Sequence, residues 1–193
     1  MAEKNKRGEL SCQWVDEVLP LGEDRKTIFV PVPALNKLHS QIDDLITQAT
    51  TDMFGLLAVL MNTLVARFGE EVWEATEKVM YNIGYQRGME FASTMKIDTT
   101  DARSIGRIFD LEDSRIGVRG EWVETGKKRA VKHEFYCPLG ETAALCPEIC
   151  TRLFAAVERG TFDAIGAKVK HFHVTKLIPK GDPYCEAVIE LED

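Results

Sequence analysis

Apolar residues recur every three or four positions from Ala34 to about Met95 and every second position from Arg115 onward, so helices are followed by sheet. Leu35, Leu38, Ile42, Leu45 and Ile46 form the stripe of a first helix. Asp52 is placed to cap a second, MFGLLAVLMNTLVARF, which is apolar on most faces and is stopped by Gly69. Glu70 and Glu71 open a third helix that runs to Met95, with negative charge in its first turn where the helix dipole favours it. Gly84 and Gly88 lie four apart on that helix, a spacing that predicts close packing of another element against one face. A short fourth helix is expected from Thr100 to about Leu111, capped by Thr100 or Asp101.

The period then changes to two. Arg115 to Glu124 and Arg129 to Tyr136 form a predicted hairpin, with Val131, His133 and Phe135 on one face. A helix is expected from Cys146 to Glu158, with Pro147 in its first turn and Gly160 ending it. Strands over Ala167 to Ile178 and Tyr184 to Leu191 complete a ββαββ half. The predicted fold is therefore α+β, N-terminal helices packed on a mostly antiparallel sheet. Residues 1–33 read as an N-terminal arm or linker, and 34–193 as one domain whose end, 131–193, is cysteine-rich.

Charge narrows the function. A formal net charge of -7 argues against nucleic-acid partners, which call for a basic footprint. The opening MAEKNKRGEL is charged with no apolar stretch behind it, and the longest apolar run, Phe54 to Phe68, is interrupted by Asn62, Thr63 and Arg67. No secretory signal and no membrane partner are expected, and a cytoplasmic location follows. In that compartment clustered cysteines read as ligands or reactive thiols. The arm offers a route to a homo-oligomer or a larger complex.

The chemistry gathers in the cysteine-rich end. Cys137, Cys146, Cys150 and Cys185 fall within 49 residues, beside His133, His171 and His173. Four thiolates from a strand end, a helix start and a turn suit a metal site, either tetrahedral zinc or an iron–sulfur cluster. Alternatively a thiolate such as Cys146 attacks a substrate while His133 or His173 shuttles protons. His171 and His173, two apart in a strand, share a face with Thr175. Tyr81, Tyr85, Glu90 and Trp122 are candidate walls of a pocket.

Cys137-Pro138, the Cys146…Cys150 pair, the YQRGMEF segment from Tyr85 to Phe91, and Gly181-Asp182-Pro183-Tyr184-Cys185 carry a resemblance. Over residues 55 to 193 the chain resembles the L-2-amino-thiazoline-4-carboxylic acid hydrolase-like family. It is more distantly similar to the vinyl-reductase-type small-molecule-binding domains. The first likeness implies hydrolysis of a small cyclic C–N substrate. The second implies a ligand-binding or accessory subunit with structural zinc held partly by cysteine. In that second group an acidic residue and a cysteine precede the Gly-Asp turn. Here His171 to Leu177 offers neither, and only Cys185 and Cys150 carry over. An iron–sulfur redox protein is the third function to be tested.

Overall fold

The computed structural model describes residues 32–192. Most of the expected arm, and Cys12 within it, lie outside the described residues. Packing divides the chain into two units, Met1–Ile46 and Thr47–Asp193. The described part of the first is helical, with Ile42, Leu45 and Ile46 exposed.

Helix α1 is assigned over Val32–Phe68. The expected break at Asp52 is not present. Gln48 Nε2 donates to the Asp52 carboxylate at 2.8 Å within the helix, so Asp52 is an interior partner rather than a cap. In the second unit, Ala58 and Met61 bury one face of α1 against Trp73, Cys146, Ile149 and Leu153. Phe54 adds a ring contact at 5.3 Å with Phe154. Gly69, at φ +75°, stops the helix as predicted, in a conformation that only glycine adopts without strain.

Helix α2 is Glu71–Thr94, followed by α3 (Ala102–Ile105) and α4 (Arg107–Ile116). Asp101 caps α3 by accepting from the amides of Arg103 and Ser104. Strands β1 (Arg119–Thr125) and β2 (Arg129–Tyr136) form the hairpin. A short α5 (Gly140–Ala143) leads to a π-helical turn, Ile149–Phe154, which runs into α6 (Ala155–Ile165). Strands β3 (Val169–Lys176) and β4 (Cys185–Leu191) follow. All four strands are antiparallel, in the order β1-β2-β4-β3, as the α+β prediction requires.

Gly160 does not end the last helix; Gly166, at φ +73°, caps it. Gly160 is instead part of the seam between α2 and α6. A Cβ there would lie 2.1 Å from the Tyr81 carbonyl oxygen, and one on Gly84 would lie 1.9 Å from that of Val157. Gly88 faces Ala164 and the Thr161 backbone at 2.6 Å, and Thr161 Oγ1 donates to the Gly84 carbonyl at 3.1 Å. The Gly84/Gly88 spacing is therefore a packing device. It brings two helix backbones together where side chains would hold them apart.

Beneath the helices the sheet presents Ala130, Ile189 and Leu191 to Ile105, Phe109 and Phe162. Period-two geometry then puts Lys132 and Glu134 on the helix-facing side with Ala130, and His133 on the outer side.

Candidate functional site

The four cysteines differ in their surroundings, and Cys150 feels the charges of both Cys146 and Cys185. Cys146 lies just before the π-helical turn and is 2 % exposed among Ala58, Met61, Trp73 and Leu153. That is the setting of a small apolar core residue. Its Sγ contacts Glu148 Oε2 at 3.9 Å. Burial and the neighbouring Glu148 charge raise its thiol above the usual range. Cys150 sits within the π-helical turn and feels the Cys146 charge.

Cys137, Cys150 and Cys185 form the other group. Cys185 opens β4 opposite Glu134 of β2, and its Sγ accepts from the Ile178 amide at 3.3 Å. Cys137 directly follows β2, feels the charges of Cys150, Cys185 and Glu134, and is steadied by a backbone hydrogen bond from Leu139. Burial, the largest cause, pushes Cys137 and Cys150 up to about 12 and Cys185 up to about 11. These are thiols, not thiolates, at neutral pH, so they are poor nucleophiles. At pH 7.5 iodoacetamide should label Cys137, Cys150 and Cys185 at least ~10-fold more slowly than the urea-unfolded chain, because only the thiolate reacts. Equal rates by peptide mapping would contradict the burial.

Among the described residues, no group of three or more His, Cys, Asp or Glu side chains is placed to hold a metal ion. Of the expected set, Cys146 packs into the α1–α2 core, while Cys137 follows β2, Cys185 opens β4 and Cys150 lies on the π-helical turn.

Of the expected Cys146 and His133, the first packs in the α1–α2 core and the second lies on β2. His133 faces outward on the sheet, where Nε2 lies 2.7 Å from Glu186 Oε2 and the ring stacks on Tyr184 at 4.1 Å. Thr175 Oγ1 donates to the other Glu186 oxygen at 2.5 Å, and Lys176 bonds Tyr184. These partners hold the Glu186 carboxyl below its usual range, the Thr175 hydroxyl most of all. The His171 and His173 side chains lie outside the described residues; their backbones pair with Glu190 and Val188 of β4.

The residues missed in the sequence lie inside, between α2, α4, α6 and β2. Arg87 Nη2 pairs with Glu112 Oε1 at 2.8 Å, and Glu112 shares a hydrogen bond with Glu158. Burial raises both carboxyls, Glu158 far above its usual range, and the Glu112 charge pushes Glu158 further. Two carboxyls in contact away from water hold a proton between them. Glu158 Oε2 is enclosed and has no hydrogen-bond partner among the described residues. Lys132, 3 % exposed, reaches Asp110 at 3.2 Å and bonds Asp113. Trp122 Nε1 donates to Asp110 at 2.8 Å, and Arg103 lies over the Trp122 ring at 4.5 Å. Of the candidate pocket walls, Trp122 belongs to this interior. Tyr81 lines a surface groove of about 510 Å³ with Glu74, Lys78 and Arg159, and donates to Asp163 at 2.6 Å. Tyr85 and Glu90 are exposed.

Beside the carboxyl pair is an aromatic floor. Phe109, Phe162 and Phe172 meet at centroid distances of 5.4 to 6.2 Å. Phe109 is three residues before Glu112 on α4, and Phe162 is four after Glu158 on α6, so each sits one turn from its carboxyl.

No known family model matches the chain, and no curated protein matches it. Solved structures do match. The phenol-responsive sensory domain of the transcription activator PoxR, crystallised with phenol, aligns over 72% of this chain and 74% of its own. The identity is 14% and the TM-score 0.53. The chain has, distantly, the fold of that sensory domain. Trafficking protein particle complex subunit 3 from Naegleria fowleri, covalently bound to palmitic acid, aligns over 72% of this chain and 95% of its own. Its identity is 16% and its TM-score 0.48. The PoxR likeness supports the α+β fold expected from the sequence. The specific hydrolase family gains no support from these matches.

Proposed function

We propose that the chain is a small-molecule-binding domain whose ligand occupies the interior between α2, α4, α6 and the sheet. The observation that carries this reading is the enclosed Glu158 Oε2, which lacks a donor beside Glu112 and Arg87. An enclosed polar atom left unpaired costs about 1–3 kcal/mol, which a ligand or water that supplies the donor recovers. A perturbed carboxyl pair at such a place is a mark of functional sites. The aromatic floor one turn away suits a ring, and the carboxyl suits a hydroxyl or amine carried on it. The PoxR sensory domain, crystallised with phenol, supports the same class of ligand.

Phenol and benzylamine titrated into the chain and followed by tryptophan fluorescence should bind at about micromolar to millimolar strength. Glu158→Leu should weaken binding at least ~10-fold, equivalent to about 1.4 kcal/mol. No binding of either probe by the folded wild-type chain defeats the proposal, as does equal binding by the variant.

The finer reading, ring-opening hydrolysis, draws on the same pair. One carboxyl holding the proton and the other ionised is the division of labour that general acid–base chemistry uses. A Cys146 nucleophile is the less favoured route, because its thiol is packed in the core and raised by Glu148. Turnover of 2-aminothiazoline-4-carboxylate that survives Cys146→Ala and fails in Glu158→Leu would support the carboxyl route.

A further inference from the structure

One face of α1 in the second unit is buried; the opposite face carries a separate apolar seam. Ala49, Met53, Leu56, Leu60 and Thr63 follow one another at spacings of four, three, four and three residues. All five are exposed, Met53 by 59%, Leu56 by 70% and Leu60 by 49%, and Val59 flanks them at 54%. An alternating 4-3 spacing is the repeat by which one helix packs side chains into the gaps of another. The residues that pack within the chain, Phe54, Ala58, Met61 and Val65, lie on a different stripe. Among the described residues the seam is thus surplus to the fold.

We propose that a second copy of this chain covers the seam, α1 against α1, in a homodimer. Three observations select that occupant. The first is charge. Between Thr47 and Phe68 only Asp52 and Arg67 are charged, so the seam lacks the flanking charges by which coiled coils choose a different partner chain. The second is area. The four large side chains expose on the order of 400 Å² of apolar surface per copy, so two copies bury about 800 Å² in total, the size of a weak, reversible interface. Self-pairing calls for no other surface of matching shape.

The third observation separates a second copy from a lipid surface. The helix satisfies the length and composition of a membrane span over His39–Phe68, with 17% of the apolar window buried. Yet its flank carries polar groups bonded to protein: Asn62 Nδ2 donates to the Leu145 carbonyl at 2.5 Å and Thr51 Oγ1 to that of Pro138 at 3.1 Å. A helix lying on a membrane carries lysines and arginines along its polar face. Here that segment carries one arginine in a chain of net charge -7.

Sedimentation equilibrium of the full chain from ~1 to ~100 μM should give a dimer, with dissociation in the micromolar range. Leu56→Glu and Leu60→Glu should raise the dissociation constant at least ~100-fold and leave the far-ultraviolet circular dichroism unchanged, because both side chains are exposed. Thr63→Leu, which adds an apolar contact to the seam, should lower it ~10-fold. A wild-type monomer at the highest concentration overturns the proposal. So does a dimer that both glutamate variants keep, or co-flotation of the wild-type chain with phosphatidylcholine vesicles.

Discussion

Gly84→Ala should lower the unfolding free energy by about 3 kcal/mol, at the upper end of what overpacking a core costs. The added methyl would fall 1.9 Å from the Val157 carbonyl oxygen and 2.7 Å from its carbon. Both are backbone atoms of α6, so no rotamer change clears the way; the helices must move apart. The packing of Trp73, Ile149 and Leu153 on one side and the Gly88 and Gly160 contacts on the other resist that movement. In a chain of this length the loss corresponds to about 6–12 °C in melting temperature. Gly55→Ala is the matched control. Its methyl meets only Thr142 Cγ2 at 3.4 Å, an ordinary contact, and alanine favours a helix over glycine by ~1 kcal/mol. The control should be neutral or stabilised. If urea melts of the two variants shift alike, the α2–α6 seam is not close-packed.

The same seam shows what was legible in the sequence. Two glycines four apart in an otherwise strong helix carry a propensity cost that only close approach repays, so Gly84 and Gly88 announced a partner. Gly160 was misread because a glycine near the expected end of a helix has two explanations, a stop or a close contact, and local pattern does not separate them. Asp52 misled for a related reason. An aspartate before an apolar run resembles a cap, but a side-chain partner one turn earlier, Gln48, keeps it inside the helix. The change of period from 3.6 to 2 located the sheet, since alternation is a property of each strand alone.

The site was less legible because its parts come from separate elements. Lys132 and Glu134 alternate with Val131, His133 and Phe135. In a hairpin taken alone the apolar residues would mark the buried face. Here Asp110 and Asp113 of α4 neutralise Lys132, so the charged face turns inward. Compensation across the fold has no local signature. The cysteines show the converse. Their nearness in sequence suggested one centre; in the fold Cys146 packs into the helical core, and Cys150 lies within reach of Cys146, Cys185 and Glu134.

Glu134→Gln should stabilise the chain by up to about 3 kcal/mol at pH 7.5 and change little at pH 4.5. Burial raises the Glu134 carboxyl from its ordinary 4.5 to about 7, the Asp113 charge adds to that, and Lys132 offsets it in part. Between those two values the folded chain holds a proton that the unfolded chain has released. The slope of unfolding free energy with pH is then negative, so stability falls as pH rises from about 4.5 to about 7 and stays low above that window. Glutamine is neutral throughout and removes this component. Glu158, Glu112 and Asp113 are raised as well and act in the same direction, so the variant should keep a shallower decline rather than none. The buried thiols do not intrude, since they ionise only well above neutrality. Urea unfolding at half-unit steps from pH 4.5 to 8 measures the difference directly. Parallel curves for the two proteins would mean that Glu134 is as well solvated in the folded chain as in the unfolded one, and the wall it forms beside the thiols would be open to water.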